Sequence, residues 1–226
     1  IDFQNLQSGN ISTITRKSLG IKNDDIVVLT VGSYTDQKHQ MAILGIAEQM
    51  IKKYKNMKFL CAGPILNRDL FKLFKRELKK SSANKNVIIL EYVPQDQMGD
   101  FIHNVCDIYL QPSIHEAGVP LTVMEALIKK KPVIMTDFML DKTFPVIDRI
   151  VGVRPPYEDL MSITPKKVIE MTKKKVDSST NEYVRKLEDI VSNLDYYRDE
   201  SNFNIDDYAF LSMERMAQEY IDYIII

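Results

Sequence analysis

The sequence predicts an α/β fold: a parallel, doubly wound, Rossmann-like sheet followed by C-terminal helices. Short runs of β-branched and apolar residues recur along the first two thirds of the chain, continuous rather than alternating, as in strands buried on both faces. Longer helical patterns stand between them, and such alternation builds parallel strands joined by right-handed crossovers. Past Arg154-Pro155-Pro156 the strand signal stops and helical patterning continues alone.

In chain order the strand candidates are IVVLTV (26–31), KFLCA (58–62), VIIL (87–90), DIYLQ (107–111), PVIMT (132–136) and a weaker IVGV (150–153). Helix candidates between them cover 39–54, 67–80, 95–104 and 120–130, and those beyond the sheet cover 165–175, 181–197 and 207–224. Pro120 reads as the first residue of its helix, where a missing N–H costs nothing. Leu121, Met124, Glu125 and Ile128 then share one face, which places Glu125 inside an apolar stripe. An unpaired carboxylate there costs several kcal/mol, so the protein or a ligand must supply donors. The segment 173–183 reads as a polar loop or helix junction, and 193–204 as the connection into the last helix. The expected organisation is one domain, 1–226, with a lead-in segment (1–24), the sheet (25–156) and a helical part (157–226).

Composition narrows the function. A chain of 226 residues with 45% hydrophobic content is not a disordered one, and a net charge of -1 gives no global field for nucleic acid. Cys61 and Cys106 sit in apolar contexts without metal spacing, which fits reduced core thiols in a cytoplasmic protein. His39, His103 and His115 form no metal pattern and read as surface or packing residues, so neither metal nor cofactor is expected. No run reaches the ~18 apolar residues of a membrane span, and no charged-then-apolar leader precedes the first strand. The start at Ile1 rather than Met reads as a fragment or processed chain whose upstream part is missing. The basic tract RDLFKLFKRELKK (68–80) has two open readings, a solvated amphipathic helix or a peripheral contact with an anionic membrane.

Ligands of open α/β sheets bind at the carboxyl ends of the strands, so the loops there are where chemistry is expected. VGSYTDQKHQ (31–40) has a single glycine, Gly32, and is neither GxGxxG nor a Walker loop; Lys38, close to helix amides, suits a phosphate or diphosphate. EYVPQDQM (91–98) is a strand end, a proline turn and a helix start whose backbone could face a flat ligand. PSIHEAGVPLTVMEAL (112–127) joins an anion-binding helix end, reached through Gly118, to Glu116 in the loop and Glu125 on the helix. Structural readings stay open for both, a charge favouring the helix dipole for Glu116 and a core hydrogen bond for Glu125.

Taken in order, these segments resemble the nucleotide-sugar-binding, C-terminal half of the retaining glycosyltransferases of the GT-B fold, specifically the large family 4. IDFQNL resembles that family's post-linker segment, VGSYTDQK its first loop, and EYVPQDQMGDFIHNVCDIYLQPS the stretch from its base-binding turn to the strand before its paired glutamates. PSIHEAGVPLTVMEALIKKKPVI resembles the glutamate-pair motif with the next strand, and LSMERMAQEYIDYI the closing helix. Ser33 stands where the family usually has arginine. Glu116 and Glu125 are separated by eight residues rather than the usual seven, an extra residue expected to be taken up as a bulge around Gly118–Val119. The loop DFMLDKTFP after the fifth strand lacks the family's glycines.

The resemblance implies a hexosyltransferase with a nucleoside-diphosphate sugar as donor and retention of anomeric configuration, its acceptor held by an N-terminal domain absent from this chain. Lys38 and Glu116 would be its catalytic residues, Lys38 on the diphosphate and Glu116 on hydroxyls of the transferred sugar. Gly32, Ser33, Tyr92, Val93, Gly118, Leu121, Thr122 and Glu125 would complete the donor site, with backbone amides from Gly118 to Thr122 on phosphate, the Tyr92–Val93 backbone on the base and Glu125 on the ribose. A fragment of this kind would bind donor and catalyse little. Two other classes remain open, a non-catalytic nucleotide-sugar-binding module and a GT-B relative such as a sugar-nucleotide epimerase.

Overall fold

The computed structural model describes residues 10–116, 120–137, 140, 149–158 and 164–203. The expected last helix (207–224), the IDFQNL segment, Gly118, the bulge at Gly118–Val119 and most of the DFMLDKTFP loop lie outside the described residues.

Six parallel strands form one sheet: β1 (Ile26–Val31), β2 (Met57–Ala62), β3 (Val87–Leu90), β4 (Ile108–Gln111), β5 (Val133–Thr136) and β6 (Ile150–Val153). Their order is β3-β2-β1-β4-β5-β6. The helices are α1 (Gln40–Lys53), α2 (Arg68–Lys80), α3 (Met98–Val105), α4 (Leu121–Ile128), α5 (Pro165–Thr172), α6 (Thr180–Ser192) and α7 (Leu194–Arg198). Val28 and Phe59 point into one core with α1, α2 and α6, whereas Val27, Leu29 and Leu60 point into a second with α3 and α4. Successive strand side chains alternate between faces, and both faces are covered, so the strands carry apolar residues at nearly every position.

Four local expectations are corrected. Pro120 is the N-cap of α4, with extended backbone (φ -62, ψ 142), and Leu121 is the first helical residue. Leu121 is 57% exposed and so falls outside the apolar stripe, while Glu125 and Ile128 are buried. The helix expected at 95–104 begins as a 3-10 turn over Gln95–Gln97 before α3. The helix expected at 181–197 breaks at Asn193, whose side-chain amide donates to the Asp189 carbonyl at 2.8 Å and competes with the helical backbone; the expected connection beyond it holds the short α7 and, after extended Asp199, a 3-10 turn over Glu200–Asn202.

The amino edge of the sheet is closed by satisfied charge. Asp107 accepts from the Val27 amide at 2.7 Å, Arg16 at 3.1 Å and Arg198 at 2.8 Å. The lead-in segment is tied to α3, with the Ser12 amide donating to Asp100 at 2.7 Å. Both cysteines are free and buried, and burial pushes each thiol up to about 12, which keeps them protonated. Among the described residues no helix is long and apolar enough to cross a membrane, and no cluster of His, Cys, Asp and Glu could hold a metal ion.

Candidate functional site

In the observed strand order the crossovers leave β1 and β4 toward opposite sides, so the sheet opens a crevice at their carboxyl ends. The loops after these two strands meet there, held by the Ile114 amide donating to the Gln37 carbonyl at 2.8 Å.

The first loop is shaped by two close approaches. A Cβ on Gly32 would stand 3.3 Å from Cδ of Lys38, so the lysine stem lies against the bare glycine. Gly63, after β2, has φ +146, and a Cβ there would fall 2.2 Å from the Gly32 carbonyl oxygen. Only glycine fits that position without displacing the loop. Ser33 is fixed by its carbonyl, which accepts from the Gln40 side chain at 2.8 Å. His39, next to Lys38, is buried in left-handed backbone (φ 49), its Nε2 3.3 Å from the Lys174 carbonyl and 3.7 Å from Asp177. It is therefore an interior residue that pins the loop to the segment between α5 and α6. Burial lowers its pKa, against the pull of Asp177.

Across the crevice Lys38 forms an ion pair with Oε1 of Glu116. The same oxygen accepts from the Ser113 hydroxyl at 2.7 Å and from the Gln111 amide at 3.2 Å. All three donors converge on one oxygen, and among the described residues none is recorded on Oε2. An ammonium has three hydrogens, so Lys38 can hold Glu116 and still donate to another anion.

Thr122, in the first turn of α4, accepts from the buried Tyr109 hydroxyl at 2.7 Å. The first turn of α4 carries no acidic side chain, and its cap makes no side-chain hydrogen bond. Among the described residues the Leu121 and Thr122 amides have no recorded acceptor, which leaves a helix end suited to an anion.

Glu125, one turn further on, is 3% exposed. Among the described residues its Oε1 accepts one long bond, 3.4 Å from the Gln95 amide, and its buried Oε2 has no partner. Burial raises its pKa to about 7, with Lys129 pulling the other way. The contrast with Asp107, which is saturated at the opposite edge, marks Glu125 as a carboxylate short of donors. Tyr92 is 67% exposed and Val93 is buried in the core with α3 and α4, so at this turn the two differ in what their side chains can offer a ligand.

The structure thus joins Lys38 to Glu116 directly and sets Thr122 and Glu125 on one helix beside them. Sequence reasoning missed Gln95, Tyr109, Gln111, Ser113 and Gly63. The one signal for Tyr109, Gln111 and Ser113 is their spacing, polar groups at every second position of a strand end, which aims them to one face.

The chain has known relatives. The profile of the family described as glycosyl transferases group 1 matches residues 12–140. The chain belongs to that family. An uncharacterized glycosyltransferase of Methanocaldococcus jannaschii is 26% identical over 136 residues, which is 60% of this chain and 32% of the relative. The chain therefore spans about a third of that relative's length. The C-terminal domain of the group 1 protein LpcC from Francisella tularensis matches with a TM-score of 0.62 at 19% identity, over 87% of this chain and 91% of that one. Anabaena HepE, solved in complex with UDP and glucose, matches with a TM-score of 0.54 at 14% identity, over 79% and 51% of the two chains. These structural matches show the fold, a GT-B Rossmann-like glycosyltransferase domain.

Proposed function

We propose that this group 1 domain is the donor-binding domain of a retaining family 4 enzyme that moves a hexosyl group from a nucleoside-diphosphate sugar. The observation that carries this reading is the Lys38–Glu116 pair spanning the β1/β4 crevice beside the start of α4. Lys38, with its remaining hydrogens, and the Leu121 and Thr122 amides receive the diphosphate. Glu116 presents Oε2 to hydroxyls of the transferred sugar, and Glu125 accepts from the ribose. The base lies against the Tyr92–Val93 backbone, and Gly32 and Ser33 keep the first loop close to the phosphates. That HepE was solved with UDP and glucose on the same fold supports a donor of this class.

As the bond from sugar to diphosphate breaks, negative charge grows on the leaving phosphate and positive charge on the sugar. Lys38 and the helix amides receive that negative charge in this reading, and removing one such group costs about 2.7–4 kcal/mol of transition-state stabilisation. In this reading the acceptor is held by a second domain of the whole protein, which works without a metal or cofactor on the cytoplasmic side of the membrane. The exposed basic face of α2 would then offer a peripheral contact with anionic lipid. Calorimetry of the chain against UDP-, GDP- and ADP-sugars tests the reading. A donor that binds and is weakened by Lys38→Ala supports it, and no binding at millimolar concentration rejects it.

A further inference from the structure

Tyr109, Gln111 and Ser113 follow one another at every second position of β4 and its extension, so their side chains leave the same face. Gln111 is 1% exposed. Its Oε1 faces the Tyr109 hydroxyl at 3.2 Å, and its Nε2 donates to Ser113 Oγ at 2.8 Å and to Glu116 Oε1 at 3.2 Å. Tyr109 has one hydrogen, and its shortest contact is Thr122 Oγ1 at 2.7 Å, ahead of Gln111 and of the Val31 carbonyl at 3.3 Å. With that hydrogen on Thr122, the threonine's own hydrogen is free for an outside acceptor. The hydrogen bonds therefore form two neighbouring groups, Tyr109 with Thr122, and Gln111 with Ser113, Glu116 and Lys38.

We infer that Gln111 is a positioning residue that sets how Glu116 meets the donor sugar, and that Tyr109 does the same for Thr122 and the diphosphate. This rests on the donor site proposed above. A carboxylate has two equivalent oxygens and rotates about its terminal bond unless donors distinguish them. Gln111, with Ser113, loads Oε1, so the rotamer is chosen before a ligand arrives and Oε2 is the oxygen turned to the sugar. An apolar residue at position 111 would fill the same buried volume but remove one of the three donors that distinguish the two oxygens.

The two roles predict different signatures in calorimetry of the whole chain with paired probes: UDP and UDP-glucose, GDP and GDP-mannose, ADP and ADP-glucose. In the wild type the sugar-bearing member of the preferred pair binds more tightly than its parent diphosphate. Gln111→Leu is expected to leave the parent diphosphate within about twofold and to reduce the sugar increment about tenfold, the scale of one hydrogen bond to a charged group. Ser113→Ala, which keeps the fold with a smaller change, is expected to move the sugar increment in the same direction. Tyr109→Phe is expected to weaken both members of the pair equally.

A merely structural role for Gln111 predicts equal losses for both members, in step with a lowered melting temperature, and that outcome overturns the inference. So does an unchanged sugar increment in both Gln111→Leu and Ser113→Ala, or a wild type that binds a diphosphate with no sugar increment. A wild type that binds no diphosphate overturns the donor-site reading itself, which separates the two failures.

Discussion

Glu125→Gln removes one titration and exchanges one carboxylate oxygen for an amide nitrogen, and its effects on folding and binding should have opposite pH dependence. In the folded chain burial raises the Glu125 pKa from 4.5 to about 7. Because the folded pKa lies above the unfolded one, folding retains a proton that the unfolded chain releases. The stability tied to it is full below 4.5 and is lost as pH rises through 7. Integrated between pH 5 and 8, that shift removes about 2–3 kcal/mol from the wild type and nothing from Glu125→Gln. Denaturant unfolding of both proteins at the two pH values measures the difference, and any constant cost of the new amide cancels. Binding should run the other way, since ribose hydroxyls donate best to the ionised carboxylate. At pH 8 the substitution should cost about 1.5–3 kcal/mol of nucleoside diphosphate affinity, and much less for the 2′,3′-dideoxy ligand. The comparison closes a double-mutant cycle and also cancels the ligand phosphate's own titration near pH 6. Equal stability differences at pH 5 and 8 would refute the desolvation argument, and a coupling near zero would leave Glu125 as a core residue.

Other expectations follow from neighbouring contacts. Lys38→Ala should weaken diphosphate binding at least tenfold and flatten its salt dependence, whereas Ser33→Arg should strengthen binding; titrations at two ionic strengths check both. Gly63→Ala should destabilise the chain by about 2 kcal/mol or more, because the new Cβ would meet the Gly32 carbonyl in backbone that side chains rarely adopt. Gly45→Ala should lower the melting temperature even though alanine is the better helix former by about 1 kcal/mol, since its Cβ would stand 1.9 Å from the Lys175 carbonyl.

The sheet was legible because burial on both faces writes itself as continuous β-branched runs, and all six strands are found within a residue of where the pattern puts them. Helix ends were less so. At Pro120 the fixed φ suits the cap as well as the first helical position, and only ψ decides between them. The break at Asn193 comes from a side chain bonding its own helix, which periodicity does not register. In the site, Glu116 and Glu125 stood out because a charge beside apolar residues is locally conspicuous, and Lys38 because it lies in a strand-to-helix loop close to helix amides. Gln95 and Gln111 did not, because a neutral amide is unremarkable in sequence and gains its meaning from a partner 30 residues away in one case and five in the other. Gly63 was hidden for a related reason: its close approach is to Gly32, on a neighbouring strand's loop.

The most direct measurement is backbone amide chemical-shift mapping of the chain titrated with UDP, GDP and ADP. A donor site at the β1/β4 crevice predicts that one of the three saturates and that its largest shifts cluster on Ser33, Lys38, Glu116, Thr122 and Glu125. Shifts centred instead on the amino edge around Arg16, Asp107 and Arg198, or no shifts with any of the three at millimolar concentration, would contradict it.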